Sequence, residues 1–293
     1  MMLRKPAVAG QFYPASPNRL KDEIEGCFLD KRGPGKLPDV NQQKNKGLKG
    51  VVVPHAGYVY SGAIAAHSYA AIAEEGFADT FVILGPNHTG IGSGVSLYPS
   101  GEWETPLGKI PVDENLAKNL TGGIIDLDES AHIYEHSIEV QLPFLQYISK
   151  GRFFSIVPIC MAMQDYDTSK EVGEQIVETI KNCGKKTVVV ASSDFSHVGF
   201  NYMSMPSKGK KVDEYAKEQD MIAINEILEF NPKGLIEKVY SNNISMCGYG
   251  CVAAMLIATK KLSAKKPMLL KYSTSYEVMP SSSCVGYGAI AVY

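Results

Sequence analysis

The stretch Thr80-Phe81-Val82-Ile83-Leu84-Gly85-Pro86-Asn87-His88 decides how this chain is read. Phe81 to Leu84 is an unbroken apolar run with no polar alternation, the mark of a strand covered on both faces. Gly85-Pro86 then stops the run, and a histidine follows. The same grammar recurs twice. Val51-Val52-Val53 leads into Pro54-His55, and Val188-Val189-Val190 leads through Ser192-Ser193-Asp194-Phe195-Ser196 to His197. In an open α/β sheet, parallel strands deliver their carboxyl ends to one edge, and ligands bind in the crevice there. Three imidazoles far apart in sequence are therefore expected to converge. The competing reading is that each histidine caps its own loop by hydrogen bonding; the threefold recurrence favours a shared site.

Working outward, the apolar runs alternate with helical patterns. The spacing predicts strands at Gly50–Val53, Thr80–Leu84, Phe153–Ile159 and Thr187–Ala191, with helices at Ser61–Glu75, Ser137–Ile148 and Ser169–Asn182. Two further helices are expected at Val212–Glu229 and Gly250–Leu262. Val95–Tyr98 with the Pro106-Leu107-Gly108 turn reads as a hairpin excursion, and Leu269–Ser275 with Gly288–Val292 as terminal strands. The expected fold is α/β, a three-layer α/β/α arrangement around a mixed, centrally parallel sheet. Residues 31–46, rich in Gly, Pro, Lys, Asn and Gln, read as an exposed loop between a short N-terminal unit and the main body, inside one domain spanning 1–293.

Composition removes several function classes. The chain has 293 residues, 45% hydrophobic and 20% charged, which suits a globular fold. Lys plus Arg at 29 against Asp plus Glu at 31 leaves a net charge of -2 with no basic block, so nucleic acid is not an expected partner. The longest apolar runs fall far below the ~18 residues of a spanning helix. No apolar signal core follows Arg4 and Lys5, so the expected location is cytoplasmic, with no membrane partner. Six scattered cysteines suit reduced thiols.

Three other residues carry chemistry. Asp194 is placed to orient an imidazole or to accept a proton, and His136 in Glu135-His136-Ser137-Ile138-Glu139 is placed to enter the crevice, with Ser137 as the expected helix N-cap. Cys247, in Ser245-Met246-Cys247-Gly248, immediately precedes a helical pattern whose unpaired N–H groups favour a thiolate, so it is the best candidate among the cysteines. Gly248-Tyr249-Gly250-Cys251-Val252-Ala253 matches a dinucleotide fingerprint only formally, since no strand leads into it. His67 and His132 read as structural or solvent-exposed, and Asn201–Lys211 as a lid or ordinary surface.

Six blocks, taken together, resemble the Memo family. They are Ala9-Gly10-Gln11-Phe12-Tyr13-Pro14, Pro54-His55-Ala56-Gly57-Tyr58, Leu84-Gly85-Pro86-Asn87-His88, Glu135-His136-Ser137-Ile138-Glu139, Ser192 to His197, and Met246-Cys247-Gly248. Prokaryotic members are also called AmmeMemoRadiSam system protein B, and the fold is similar to class III extradiol dioxygenases of the LigB type. The resemblance implies metal ligands at His55, His88 and Cys247, with Asp194 and His197 beside them. A set of two imidazoles and a thiol suits copper or iron, with zinc also accommodated. The resemblance further implies a metal-dependent oxidoreductase in which His197, oriented by Asp194, moves protons and His136 lines the pocket. It also implies radical-SAM and AMMECR1-like protein partners alongside a small-molecule or peptide ligand. The alternatives are a non-catalytic ligand-binding protein that keeps the crevice, and a hydrolase using metal-bound water.

Overall fold

The computed structural model describes residues 2–40, 47–206 and 209–293. The three opening runs form strands Gly50–Val53, Thr80–Pro86 and Thr187–Ser192, and of their residues only Thr187 escapes full burial. Ser155–Met161, wholly buried, is the fourth. These four lie parallel in the order Gly50–Val53, Thr187–Ser192, Thr80–Pro86, Ser155–Met161. Antiparallel strands extend both sides. Ser283–Val292 pairs with Gly50–Val53 and also with His197–Gly199 and Pro267–Thr274, while Val95–Leu97 pairs with Ser155–Met161. The sheet is mixed with a parallel centre, as the continuous apolar runs require.

The chain crosses this sheet in two directions. It moves one way from Gly50–Val53 to Thr80–Pro86 and the other way from Ser155–Met161 to Thr187–Ser192. Because such crossovers are right-handed, their helices, Tyr58–Glu74 and Tyr166–Cys183, lie on opposite faces. Pro17–Leu29 and Leu142–Ser149 pack beside the first, and Pro232–Ser241 and Tyr249–Lys261 beside the second, with Val212–Leu228 adjoining. Three layers result. The reversal of direction also opens a crevice at the carboxyl ends of the strands.

Some local expectations change. Ser137 caps no helix: its Oγ donates to the Pro86 carbonyl at 2.8 Å, a single 3-10 turn covers Glu139–Gln141, and the helix starts only at Leu142. The Pro106-Leu107 turn does form a hairpin, but it joins Glu102–Thr105 to Gly108–Pro111 in a separate three-stranded sheet with Leu3–Arg4. Val95–Leu97 belongs to the main sheet instead, because its buried side chains pair with Ser155–Met161. Helices Pro17–Leu29 and Pro232–Ser241 escape the periodicity reading. The first is no separate unit: Leu20, Ile24 and Phe28 are buried in the main core, with Phe28 against Phe144 and Tyr147. Within the loop read at 31–46, residues 31–40 form turns and coil with Val40 buried, and residues 41–46 lie outside the described residues.

Candidate metal centre

Strand order brings distant residues to one edge. Gly50–Val53 and Thr80–Pro86 flank Thr187–Ser192, so their ends sit ~10 Å apart, within the span of two side chains leaning inward. His55 and His88 do lean inward, and their rings meet edge to face with centroids 5.2 Å apart. Asp194 follows the middle strand and fixes the first histidine, since its Oδ1 accepts the His55 backbone N–H at 2.8 Å. Cys247 arrives from the loop before helix Tyr249–Lys261, and Gly248 makes that approach feasible: a Cβ there would lie 2.5 Å from the Ser192 carbonyl oxygen. Cys247 Sγ ends 3.1 Å from His55 Nε2 and accepts the Asp194 N–H at 3.2 Å. One donor atom from each of His55, His88 and Cys247 lies within 4.8 Å of the others.

Each imidazole is held by a different device. His88 donates from Nδ1 to Glu135 Oε1 at 2.9 Å, which leaves Nε2 as its lone-pair nitrogen. Glu135 also accepts backbone N–H groups from His88 at 2.5 Å and from His136 and Ser137 at 2.8 Å. Burial pushes the Glu135 carboxyl up, but its hydrogen bond to His88, the charges of His88 and His136 and the Ser137 N–H outweigh it and hold it at about 2. Gly85 admits this segment, since a Cβ there would meet Ser137 Oγ at 2.5 Å. Atoms of His88, Glu135 and His136 also cluster within 4.8 Å. Glu135 Oε1 already accepts three N–H groups and Oε2 one, so this carboxylate holds the two imidazoles of the trio in place.

His197 donates from Nδ1 to the carbonyls of Phe195 at 3.0 Å and Ser245 at 3.1 Å. Asp194 makes no hydrogen bond to that ring among the described residues, so orientation of His197 falls to two carbonyls and not to the carboxylate. His136 stacks on His88 with centroids 4.7 Å apart and packs against Phe12. Burial, reinforced by the charge of His88, takes His136 down to about 4 against the pull of Glu135, so it is neutral at neutral pH. His55 is lowered by burial and by its neighbouring imidazoles, while burial raises Asp194. Cys247 departs from the helix-terminus expectation: burial first, then the Asp194 charge, push its thiol up, so without a bound cation it keeps its proton.

A cavity of ≈ 430 Å³ lies over the centre, and His55, His88, His136, Asp194 and His197 all face it. Asn201 and Tyr202 line it too; Ser207 and Lys208, also within the Asn201–Lys211 loop, lie outside the described residues. The two remaining histidines stand apart and are structural. His132 is fully buried with Nε2 on the Ser96 carbonyl, and His67 Nε2 contacts the Arg32 carbonyl at 2.9 Å. The helix after Gly248 follows a loop and no strand, so the dinucleotide reading stays excluded. Glu135, which in sequence looks only like an acidic group at the start of a helix, instead gathers His88, His136 and Ser137. Ser192 and Gln141 carry no signal outside the folded chain, since their partners are brought to them only by folding.

A three-layer α/β/α protein with two imidazoles and a thiol gathered at the carboxyl edge of its parallel strands is the class defined by this geometry. The model of the Memo-like protein family matches residues 4–291. A MEMO1 family protein of Methanopyrus kandleri is 47% identical over 292 residues, covering 99% of this chain and 98% of that protein. MEMO1 family proteins of Methanosarcina acetivorans and Methanocaldococcus jannaschii are 46% and 48% identical, covering 100% and 99% of both chains. The chain belongs to the Memo family. Its fold is also similar to the crystal structure of an uncharacterized protein from Escherichia coli K12, with a TM-score of 0.54 and 12% identity, covering 84% of this chain and 100% of that one. No helix among the described residues is long and apolar enough to cross a membrane.

Proposed function

We propose that this chain is a metal-dependent oxidoreductase that holds copper or iron through His55, His88 and Cys247. The observation that carries the reading is the placement of three soft-to-borderline donor atoms within 4.8 Å of one another beneath a cavity. A bound ion would supply electron transfer with oxygen species at the floor of that cavity. The protein's own groups do the rest. Asp194 anchors the His55 backbone, and Glu135 orients His88. His197, with Nδ1 tied to carbonyls, keeps Nε2 as a proton acceptor toward the cavity. His136, neutral and packed against Phe12, closes one wall.

Metal analysis of protein purified without added metal, paired with oxygen and superoxide assays under aerobic and anaerobic conditions, tests the reading. Copper or iron near one ion per chain is expected, and Cys247→Ser should lose it. Full metal content in Cys247→Ser would overturn this ligand set. Tight ligand capture without turnover in metal-loaded protein would replace the enzyme with a binding protein.

A further inference from the structure

An imidazole offers two nitrogens, and a metal centre needs the right one to carry the lone pair. His88 and His197 have theirs chosen by partners that only accept, a carboxylate and two carbonyls. His55 differs, because its Nδ1 faces a hydroxyl, Ser192 Oγ at 2.9 Å, which is able to donate or accept. Other hydrogen bonds remove that ambiguity. Gln141 Nε2 lies 3.1 Å from the Pro54 carbonyl, which only accepts, so the amide nitrogen faces that side. Gln141 Oε1 then receives the Tyr69 hydroxyl at 2.5 Å. The same Nε2 donates to Ser192 Oγ at 2.8 Å. The single proton of Ser192 goes to the Ser137 carbonyl at 2.6 Å, again an obligate acceptor. Only a lone pair of Ser192 remains for His55, so Nδ1 must carry the ring proton and Nε2 stands bare, 3.1 Å from Cys247 Sγ. Tyr69, Ser137 and Ser192 are fully buried and Gln141 is 1% exposed, so bulk water offers none of them another partner.

We infer that Ser192, held by Gln141 and Tyr69, is a positioning residue that sets the His55 tautomer and so the affinity of the His55, His88 and Cys247 centre for its ion. The effect on affinity rests on the metal reading above; the tautomer does not. The experiment uses the full chain, labelled with ¹⁵N-histidine and free of metal, at about pH 8, where a free imidazole is neutral. Long-range ¹H–¹⁵N spectra report which His55 nitrogen is protonated. The expected result is Nδ1–H in the wild type and a mixture or reversal in Ser192→Ala, which a merely structural role would not produce. Titration with Co²⁺, read through its thiolate charge-transfer band and chelator competition, should show a loss of about 10- to 100-fold in Ser192→Ala. Tyr69→Phe keeps the ring stacked on Phe144 and should shift affinity less, in the same direction.

A His55 protonated at Nε2 in the wild type overturns the inference, as does a folded Ser192→Ala with unchanged tautomer and Co²⁺ affinity. If Ser192→Ala does not fold, the wild-type tautomer decides alone. Should the tautomer behave as expected while Co²⁺ leaves the His55 and His88 signals unmoved, the tautomer assignment stands and the metal reading falls.

Discussion

Glu135 and Glu139 sit one helical turn's length apart in sequence, both buried and both saturated with donors, yet they serve different regions. Glu139 accepts from the Arg4 guanidinium, the backbone N–H groups of Ala7 at 2.7 Å and Val8 at 3.1 Å, and the Tyr13 hydroxyl at 2.5 Å. It clasps the N-terminal segment to the body. Glu135 gathers His88, His136 and Ser137, and the free face of His88 looks into the cavity. Burial and complete hydrogen bonding are therefore common to a clamp and to a proposed metal site. The distinguishing feature is whether the partner keeps an uncommitted atom that faces open space with other such atoms. His132 makes the same point: it is as buried as His55, but its Nε2 is spent on the Ser96 carbonyl and its ring is walled by Trp103 and Tyr98.

The contrast is open to direct attack. Glu139→Ala should produce the largest change, a loss of about 3–5 kcal/mol in denaturant unfolding, because it strands a buried guanidinium. Metal affinity of the folded fraction should stay near the wild-type value; a variant as stable as the parent would erase the distinction.

Asp220 is a third buried carboxylate, and it holds the Asp194–His197 segment by accepting the Ser196 N–H at 2.7 Å, with Tyr272 donating at 2.7 Å. Burial carries it from its usual value of 3.8 up to about 6 despite those bonds. The folded chain thus binds an extra proton between those values, so the Asp220 contribution to stability falls as pH rises through that window and is level above it. The swing is roughly 2–3 kcal/mol. Asp220→Asn should remove it, since an amide keeps one acceptor for Ser196 and stays neutral. Identical slopes for wild type and variant between about pH 4 and pH 6 would refute this assignment.

Glu135→Gln tests the other side of the comparison. Metal affinity should drop by about 10- to 100-fold through weaker hold on His88, with a smaller effect on unfolding. If stability collapses while affinity holds, Glu135 is a clamp like Glu139. The smallest effect belongs to His67→Gln, which should leave metal content unchanged and cost at most about 1 kcal/mol, the worth of its hydrogen bond to the Arg32 carbonyl.

Legibility followed the range of the interactions. Val51–Val53, Phe81–Leu84 and Val188–Val190 declared buried strands because two-sided burial removes polar alternation, a property of each segment alone. The histidines after them were readable because a strand end is also local. Ser137 misled because an N-cap and a loop hydroxyl look alike in sequence; only the nearby Pro86 carbonyl chose between them. Val95–Leu97 misled because its partner, Ser155–Met161, lies far along the chain. Cys247 does precede a helix and reach His55, but a helix terminus says nothing about its protonation, which burial and Asp194 govern.

By itself, the sequence determined the apolar runs, the breaks that end them and the reactive side chains just beyond, since these arise from residues close together in the chain. The tertiary structure alone decided which strands are neighbours, that Cys247 meets His55, that Asp194 anchors a backbone and not a ring, and which nitrogen of His55 is bare. Those outcomes depend on strand order, crossover handedness and the direction of buried hydrogen bonds, and each joins atoms whose proximity is created only when the chain has folded.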